Sequence, residues 1–107
     1  MGVGICLKNS IVGANYHFNY TNIGHGSYLI STNGYSWSHS NKDFNSAFKT
    51  FQFTVNDIVY IEYDPKEGKI RFQKNTGADK FELDVQAPPS GDSYHACINL
   101  CSTGDAV

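Results

Sequence analysis

Apolar and polar residues alternate with a period of two along most of this chain, which is the spacing of β-strands rather than of helices. The most strongly predicted strand covers residues 58–63, which are β-branched or aromatic almost throughout. No stretch keeps apolar residues at helical spacing over three turns. We therefore expect an all-β fold, an antiparallel β-sandwich or barrel. Further strands are predicted over residues 1–7, 27–31, 35–39, 69–74, 81–85 and 94–101, with residues 16–20 as a candidate aromatic strand.

Turn-forming residues separate the predicted strands. Asn33 and Gly34 predict a tight hairpin turn, because both residue types tolerate positive φ. Residues 64–68 predict a hairpin loop, in which Pro65 presets φ and Gly68 supplies a left-handed position.

The period of two also predicts which side chains face the core. In residues 35–39 the large rings of Tyr35, Trp37 and His39 share one face, and we expect Trp37 in the core. Residues 8–26 are rich in Asn, Ser and Gly, so a loop is expected there outside the candidate strand. The later strands place these side chains inward: Ile70, Phe72, Phe81, Leu83 and Val85.

The composition fits one small domain over residues 1–107. The mass is 11.9 kDa, and 7 Phe, 7 Tyr and 1 Trp supply large side chains for a core. The net charge is −2 and no basic stripe is present, so we expect no nucleic-acid partner. No apolar run approaches the ~20 residues of a membrane span, and the first residues lack the layout of a signal peptide. These features predict no membrane partner and a cytoplasmic location.

The cysteine content predicts reduced thiols. Cys6, Cys97 and Cys101 cannot all pair within the chain, and cytoplasmic proteins keep their thiols reduced. His95, Cys97 and Cys101 share one face of the last predicted strand, but a zinc site needs four ligands and usually a tighter spacing. We therefore expect structural thiols, no metal site and no cofactor.

The sequence gives little support to catalysis. Ser36, His39 and Asp43 are the residue types of a hydrolytic triad, but triads are assembled from distant segments of a chain. A polar strand edge followed by a loop explains these residues better, so we expect a protein that is not an enzyme.

The order of motifs resembles that of a SPRY (B30.2-type) domain. Residues 56–64 and 68–75 are similar to the centre of that family, where an apolar strand ends in Asp and the next strand reads Ile-x-Phe-x-x-Asn. Residues 94–100 resemble its late Tyr-Pro-Ala strand. Two positions depart from the family pattern, since Asn56 replaces the usual Gly and His95 replaces the usual Pro.

The resemblance implies a concanavalin-like jelly roll that acts as a non-catalytic protein–protein interaction module. Such domains often belong to a larger protein, for example a ubiquitin-ligase substrate receptor, and bind a peptide or a protein surface through loops at one end of the sandwich. Those loops correspond here to residues 8–22 and 101–103. The partner-binding residues that the resemblance implies are Asn15, Tyr16, Phe18, Leu100, Cys101 and Ser102.

One departure concerns the beginning of the domain. Members of the family carry further strands before a Val-Gly-Val strand, whereas here Met1 directly precedes residues 2–4, which resemble that strand. We therefore expect an incomplete sandwich with unpaired strand edges. Its partner would be a complementing chain that supplies the missing strands, or a second copy forming a homo-oligomer. The isolated chain is expected not to behave as a compact monomer.

Two other functions remain open at this stage. The chain could be a structural subunit of a large assembly, which a large apolar patch facing a neighbour would favour. It could also be a carbohydrate-binding jelly roll, in which Tyr35 or Trp37 stacks on a sugar ring. An exposed aromatic platform would favour the carbohydrate hypothesis, and a buried Trp37 would weaken it.

Overall fold

A computed structural model describes residues 1–13, 23–54 and 56–99, and it confirms the predicted antiparallel β-sandwich. A short helix, α1, follows the first strand, and a 3₁₀ turn at Lys42–Phe44 precedes the fourth. The bounds are β1 Gly2–Leu7, α1 Lys8–Gly13, β2 Ser27–Ser31, β3 Asn33–Ser38, β4 Ala47–Gln52, β5 Val59–Asp64, β6 Lys69–Lys74, β7 Lys80–Asp84 and β8 Tyr94–Asn99.

The strands form two sheets with the core between them. The five-stranded sheet has the order β4-β3-β2-β1-β8, and the three-stranded sheet has the order β5-β6-β7. Every pairing between neighbouring strands is antiparallel. Side chains from both sheets form one buried cluster, which consists of Ile5, Tyr28, Ile30, Phe53, Ile70, Phe72, Leu83 and Val85.

The alternation in the second half of the chain is confirmed. Ile70 and Phe72 are buried, and the residue between them, Arg71, lies on the opposite face of β6. The pairing of β6 with β7 extends this pattern to the next strand, because Ile70 pairs with Leu83 and Phe72 pairs with Phe81. Directly opposed residues of an antiparallel pair point to the same face. The predicted inward residues therefore all contribute to the core or pack against it.

The hairpin loop at residues 64–68 forms as predicted. The Asp64 carboxylate accepts hydrogen bonds from the backbone N–H groups of Lys66 and Glu67, each at 3.1 Å. Gly68 has a φ of +64°, which completes the turn into β6. These bonds satisfy backbone donors that would otherwise be unpaired, so the loop has a local chemical cause.

The hairpin between β2 and β3 is confirmed, but its turn differs from the predicted one. Ile30 pairs with Ser36, so residues 32–34 form the connection. Gly34 has a φ of +91°, whereas Asn33 keeps a negative φ and belongs to β3. A three-residue connection needs one left-handed position, and Gly34 supplies it.

The expected core position of Trp37 is wrong, because β3 turns the opposite face inward. Ser36 and Ser38 are buried, and Trp37 lies half-buried on the outer face. The Ser36 hydroxyl donates to the carbonyl oxygen of Phe44 at 2.9 Å. The Ser38 hydroxyl accepts from the backbone N–H of Asn41 at 3.0 Å. Each buried hydroxyl is thus satisfied by the backbone of the following loop.

Two further elements differ from the prediction. Residues 8–13 form helix α1 instead of a loop, and β4 is a strand that the pattern did not predict. Pairing of β4 with β3 shifts register, which breaks the period of two along β4. The candidate strand at 16–20 lies outside the described residues. The last predicted strand is confirmed as far as Asn99.

Candidate functional site: an open edge of the sandwich

One side of the sandwich, where β4 and β7 lie, is covered by the 3₁₀ turn. The ring of Phe44 packs against that of Phe81, with centroids 6.1 Å apart. The Lys49 ammonium lies over the Phe44 ring, 4.9 Å from its centroid. Apolar side chains at this side are therefore covered by the chain's own residues.

The opposite side, where β5 and β8 lie, is closed at one point by tyrosines. The rings of Tyr63 on β5 and Tyr94 on β8 are 5.3 Å apart, and Tyr94 also contacts Tyr28 at 5.9 Å. The Tyr94 hydroxyl donates to the carbonyl oxygen of Gln86 at 2.6 Å. Burial raises the pKa of Tyr94, so this hydroxyl stays protonated and keeps its hydrogen bond.

Away from this contact, the inner faces of β5 and β8 are exposed. Ile61 pairs with the buried Phe72, and Ile98 pairs with Val3, which packs against the core. Both isoleucines therefore belong to the inner face. Ile61 is nevertheless 40% exposed and Ile98 51% exposed, and Ala96 on the same face is exposed as well. These are core-type side chains without a covering layer.

Among the described residues, the backbones of β5 and β8 are each paired along one side only. Within residues 1–13, 23–54 and 56–99, β5 pairs with β6 alone and β8 pairs with β1 alone. An unpaired strand offers a row of N–H and C=O groups to another extended segment. We call this region, formed by β5 and β8 with their exposed inner-face residues Ile61, Ala96 and Ile98, the β5/β8 edge.

The outer face of the small sheet carries a shallow depression of about 750 Å³. Arg71 lines it, and the Arg71 guanidinium is 2.7 Å from a carboxylate oxygen of Glu62 and 3.5 Å from one of Glu82. A third carboxylate, that of Asp64, lies 3.3 Å away. Because acidic side chains already surround this cation, the depression is not suited to binding an anion.

A second exposed apolar surface lies on the outer face of β3 and β4. The rings of Tyr35 and Phe48 pair at 5.5 Å between centroids, and they are 37% and 62% exposed. Trp37 follows on the same face, and its indole N–H donates to the Ser46 hydroxyl at 3.2 Å. We call Tyr35, Trp37 and Phe48 the outer aromatic surface.

The residues considered for catalysis do not form a triad. The Ser36 hydroxyl is fully buried and donates to a backbone carbonyl, so it is not available as a nucleophile. His39 instead accepts a hydrogen bond from the backbone N–H of Gly26 at its Nδ1, at 2.8 Å. His39 therefore joins the beginning of β2 to the end of β3.

His25 forms a similar structural link. Its Nδ1 accepts from the backbone N–H of Ser27 at 3.1 Å, and its Nε2 donates to the Asn45 side-chain oxygen at 2.7 Å. Burial is the largest cause that lowers the pKa of His25, and burial also lowers the pKa of His39. Burial in the fold therefore favours the neutral form of both imidazoles.

Two of the three cysteines lie together on the outer face of the large sheet. Cys6 and Cys97 are free thiols on neighbouring strands. A hydrogen bond from Cys97 lowers the pKa of Cys6 to about 7, and the same bond raises the pKa of Cys97. In the part of the chain that the structure describes, no group of three His, Cys, Asp or Glu side chains could hold a metal ion.

The residues that the resemblance implied for partner binding lie outside the described residues: Asn15, Tyr16, Phe18, Leu100, Cys101 and Ser102. They remain predictions. The β5/β8 edge was not predicted as a site, although residues 58–63 carried a signal for it. Apolar residues occupy both faces of this segment, with Ile58 and Tyr60 on one face and Ile61 on the other. Ile58 and Tyr60 are each more than half exposed.

Comparisons with known proteins give no match: neither a protein-family model, nor a curated protein, nor a solved structure is similar to this chain. The helical segments in residues 1–13, 23–54 and 56–99 are too short or too polar to cross a bilayer.

Proposed function

We propose that this chain is a non-catalytic protein-interaction module that binds an extended segment of a partner protein at the β5/β8 edge. In this proposal it acts in the cytoplasm as part of a larger protein or complex. The observation that carries the proposal is the exposure of Ile61 and Ile98 on the inner face of the sandwich. Inner-face isoleucines are normally covered in a sandwich, because that face forms the core.

A bound strand would supply both the backbone partner and the apolar cover that the edge lacks. Its backbone would pair with the free side of β5, and its apolar side chains would cover Ile61 and its neighbours. Covering a half-exposed isoleucine is worth about 1 kcal/mol, and main-chain hydrogen bonds add to this. Addition of a strand to a free sheet edge is an established mode of peptide recognition.

The resemblance to SPRY domains supports an interaction module. The proposal differs from the family's usual mode, which uses loops. A structural subunit of a larger assembly would use the same edge with a permanent neighbour. This alternative therefore predicts a longer-lived complex on the same binding surface.

The proposal is tested by selecting peptides from a displayed random library against the 107-residue chain. We expect extended, alternating apolar sequences to be enriched. Ile61→Lys should abolish this enrichment, because a charge then lies where the bound strand must pack. Val12→Lys is the matched control, since Val12 is 51% exposed on α1 and lies outside the edge. Enrichment that survives Ile61→Lys, or no enrichment at all, would contradict the proposal.

The outer aromatic surface supports a second candidate function, carbohydrate binding. Exposed rings at Tyr35 and Phe48, with Trp37 beside them and not in the core, provide a platform on which a sugar ring can stack. A glycan array tests this hypothesis directly. Binding that is lost in Phe48→Ala and kept in Ile61→Lys would assign a glycan site to this surface, and no bound glycan would exclude this second function.

A further inference from the structure

The outer face of β5 is acidic where the inner face is apolar. Outward residues on this strand are Tyr60, Glu62 and Asp64, which alternate with the inward Ile61 and Tyr63. The Glu62 side chain is 68% exposed. A strand added beside β5 would therefore have an apolar row next to Ile61 and an acidic row next to Glu62.

The strand already paired with β5 indicates what chemistry fits beside it. On β6, Arg71 lies opposite Glu62 and Lys69 lies opposite Asp64. Arg71 is bonded to Glu62 at 2.7 Å, while Phe72 occupies the inner face. The neighbour of β5 on its paired side thus alternates basic and apolar residues.

The free side of β5 retains capacity for a second cation. Arg71 contacts one oxygen of the Glu62 carboxylate, at 2.7 Å. A carboxylate can accept about four hydrogen bonds on its two oxygens. The Glu62 side chain can therefore interact with a basic residue on its other side without losing Arg71.

From this complementarity we infer that the occupant of the β5/β8 edge is an extended segment that alternates apolar residues with Lys or Arg. The inference rests on the proposed function and specifies the partner's chemistry. Apolar side chains of the segment cover Ile61, and its basic side chains lie opposite Glu62. A second copy of this chain fits less well, because β5 has no cation on its outer face and would place one acidic row beside another.

The test compares three synthetic peptides that share alternating Ile and Val residues. Their outer positions carry Lys and Arg, Ser and Thr, or Glu. Fluorescence anisotropy measures the Kd of each peptide for the wild-type chain at low and high salt. We expect the basic peptide to bind about two- to fivefold more tightly per opposed charge pair than the neutral peptide, with the difference reduced by salt.

Charge-reversal variants assign the preference to Glu62. Glu62→Lys should reverse the order, so that the Glu peptide binds best. Glu67→Lys is the control, because it makes the same charge change in the exposed 64–68 loop. A thermal melt of each variant establishes that it is folded. An order that changes equally in both variants would overturn the inference.

Failure of the inference is distinguishable from failure of the proposed function. Equal binding of all three peptides, lost in Ile61→Lys, would overturn the basic preference and leave the edge as the binding site. No binding of any peptide would contradict the edge as a peptide site. A discrete dimer in light scattering that becomes monomeric in Ile61→Lys would assign the edge to a second copy and overturn the inference.

Discussion

At the scale of single residues, the buried His25 and the half-buried His39 predict a pH dependence of stability. The pKa values of His25 and His39 are lowered from 6.5, with burial as the largest cause for both. Below pH 6.5 the unfolded chain therefore binds protons that the folded chain does not, so the free energy of unfolding falls as the pH decreases. Protonation at Nδ1 would also oppose the backbone N–H groups of Gly26 and Ser27. Urea unfolding between pH 7.5 and about 5 measures this slope.

A variant of one histidine separates this effect from general acid sensitivity. We expect His39→Gln to reduce the pH slope, because the folded chain then lacks one imidazole whose pKa is lowered by burial. Carboxylates change their charge at a lower pH than the histidines do. The pKa values of Asp57 and Asp64 are both lowered from 3.8. The main cause is a hydrogen bond from the Asn75 side chain for Asp57 and one from the Glu67 backbone N–H for Asp64. An identical slope in wild type and His39→Gln would contradict the prediction.

At the scale of elements, the close approach of β1 and β2 depends on Gly4. A Cβ atom at this position would lie 1.9 Å from the carbonyl oxygen of Tyr28, which is a backbone atom and cannot move independently of β2. Gly4→Ala is therefore expected to destabilise the fold by about 2 kcal/mol or more, since overpacking of this kind typically costs 1–3 kcal/mol. Gly13→Ala is the control, because a Cβ there meets nothing within 4 Å. Equal urea midpoints for both variants would contradict this account of the strand pair.

The strands and loops also show which features of the fold can be predicted from the sequence pattern. The 64–68 loop and the alternation on β6 were predicted because their causes are local: a carboxylate within reach of its own turn, and a period of two. The inward face of β3 was not predicted correctly, because aromatic and Ser residues alternate along this strand. The Ser hydroxyls can be buried only because the following loop supplies their hydrogen-bond partners. The resemblance led us to expect unpaired strand edges, and the packing of the two sheets identifies β5 and β8 as the open edge within the described residues.

At the scale of the whole molecule, the sheets close into a compact body although one edge is open. The radius of gyration of the Cα atoms is 13.1 Å. This agrees with the ~13 Å expected for a domain of this size. The three-stranded sheet leaves part of the five-stranded sheet uncovered at β8, where Ile98 is 51% exposed. An exposed apolar edge strand promotes association, so the expectation that the isolated chain is not a stable monomer stays a prediction.

Light scattering of the chain with and without the basic alternating peptide tests this prediction. Without peptide we expect the mean mass to rise with protein concentration, without a fixed stoichiometry, because the exposed apolar side chains of the β5/β8 edge promote non-specific association. Saturating peptide should return the mass to one chain of 11.9 kDa plus peptide. It should also stabilise the fold, by about 2.7 kcal/mol at a hundred times Kd, because the peptide binds the folded state alone. Ile61→Lys should be monomeric without peptide and should show no shift in Tm when peptide is added. A wild-type chain that stays monomeric at every concentration would mean that the open edge does not need to be covered.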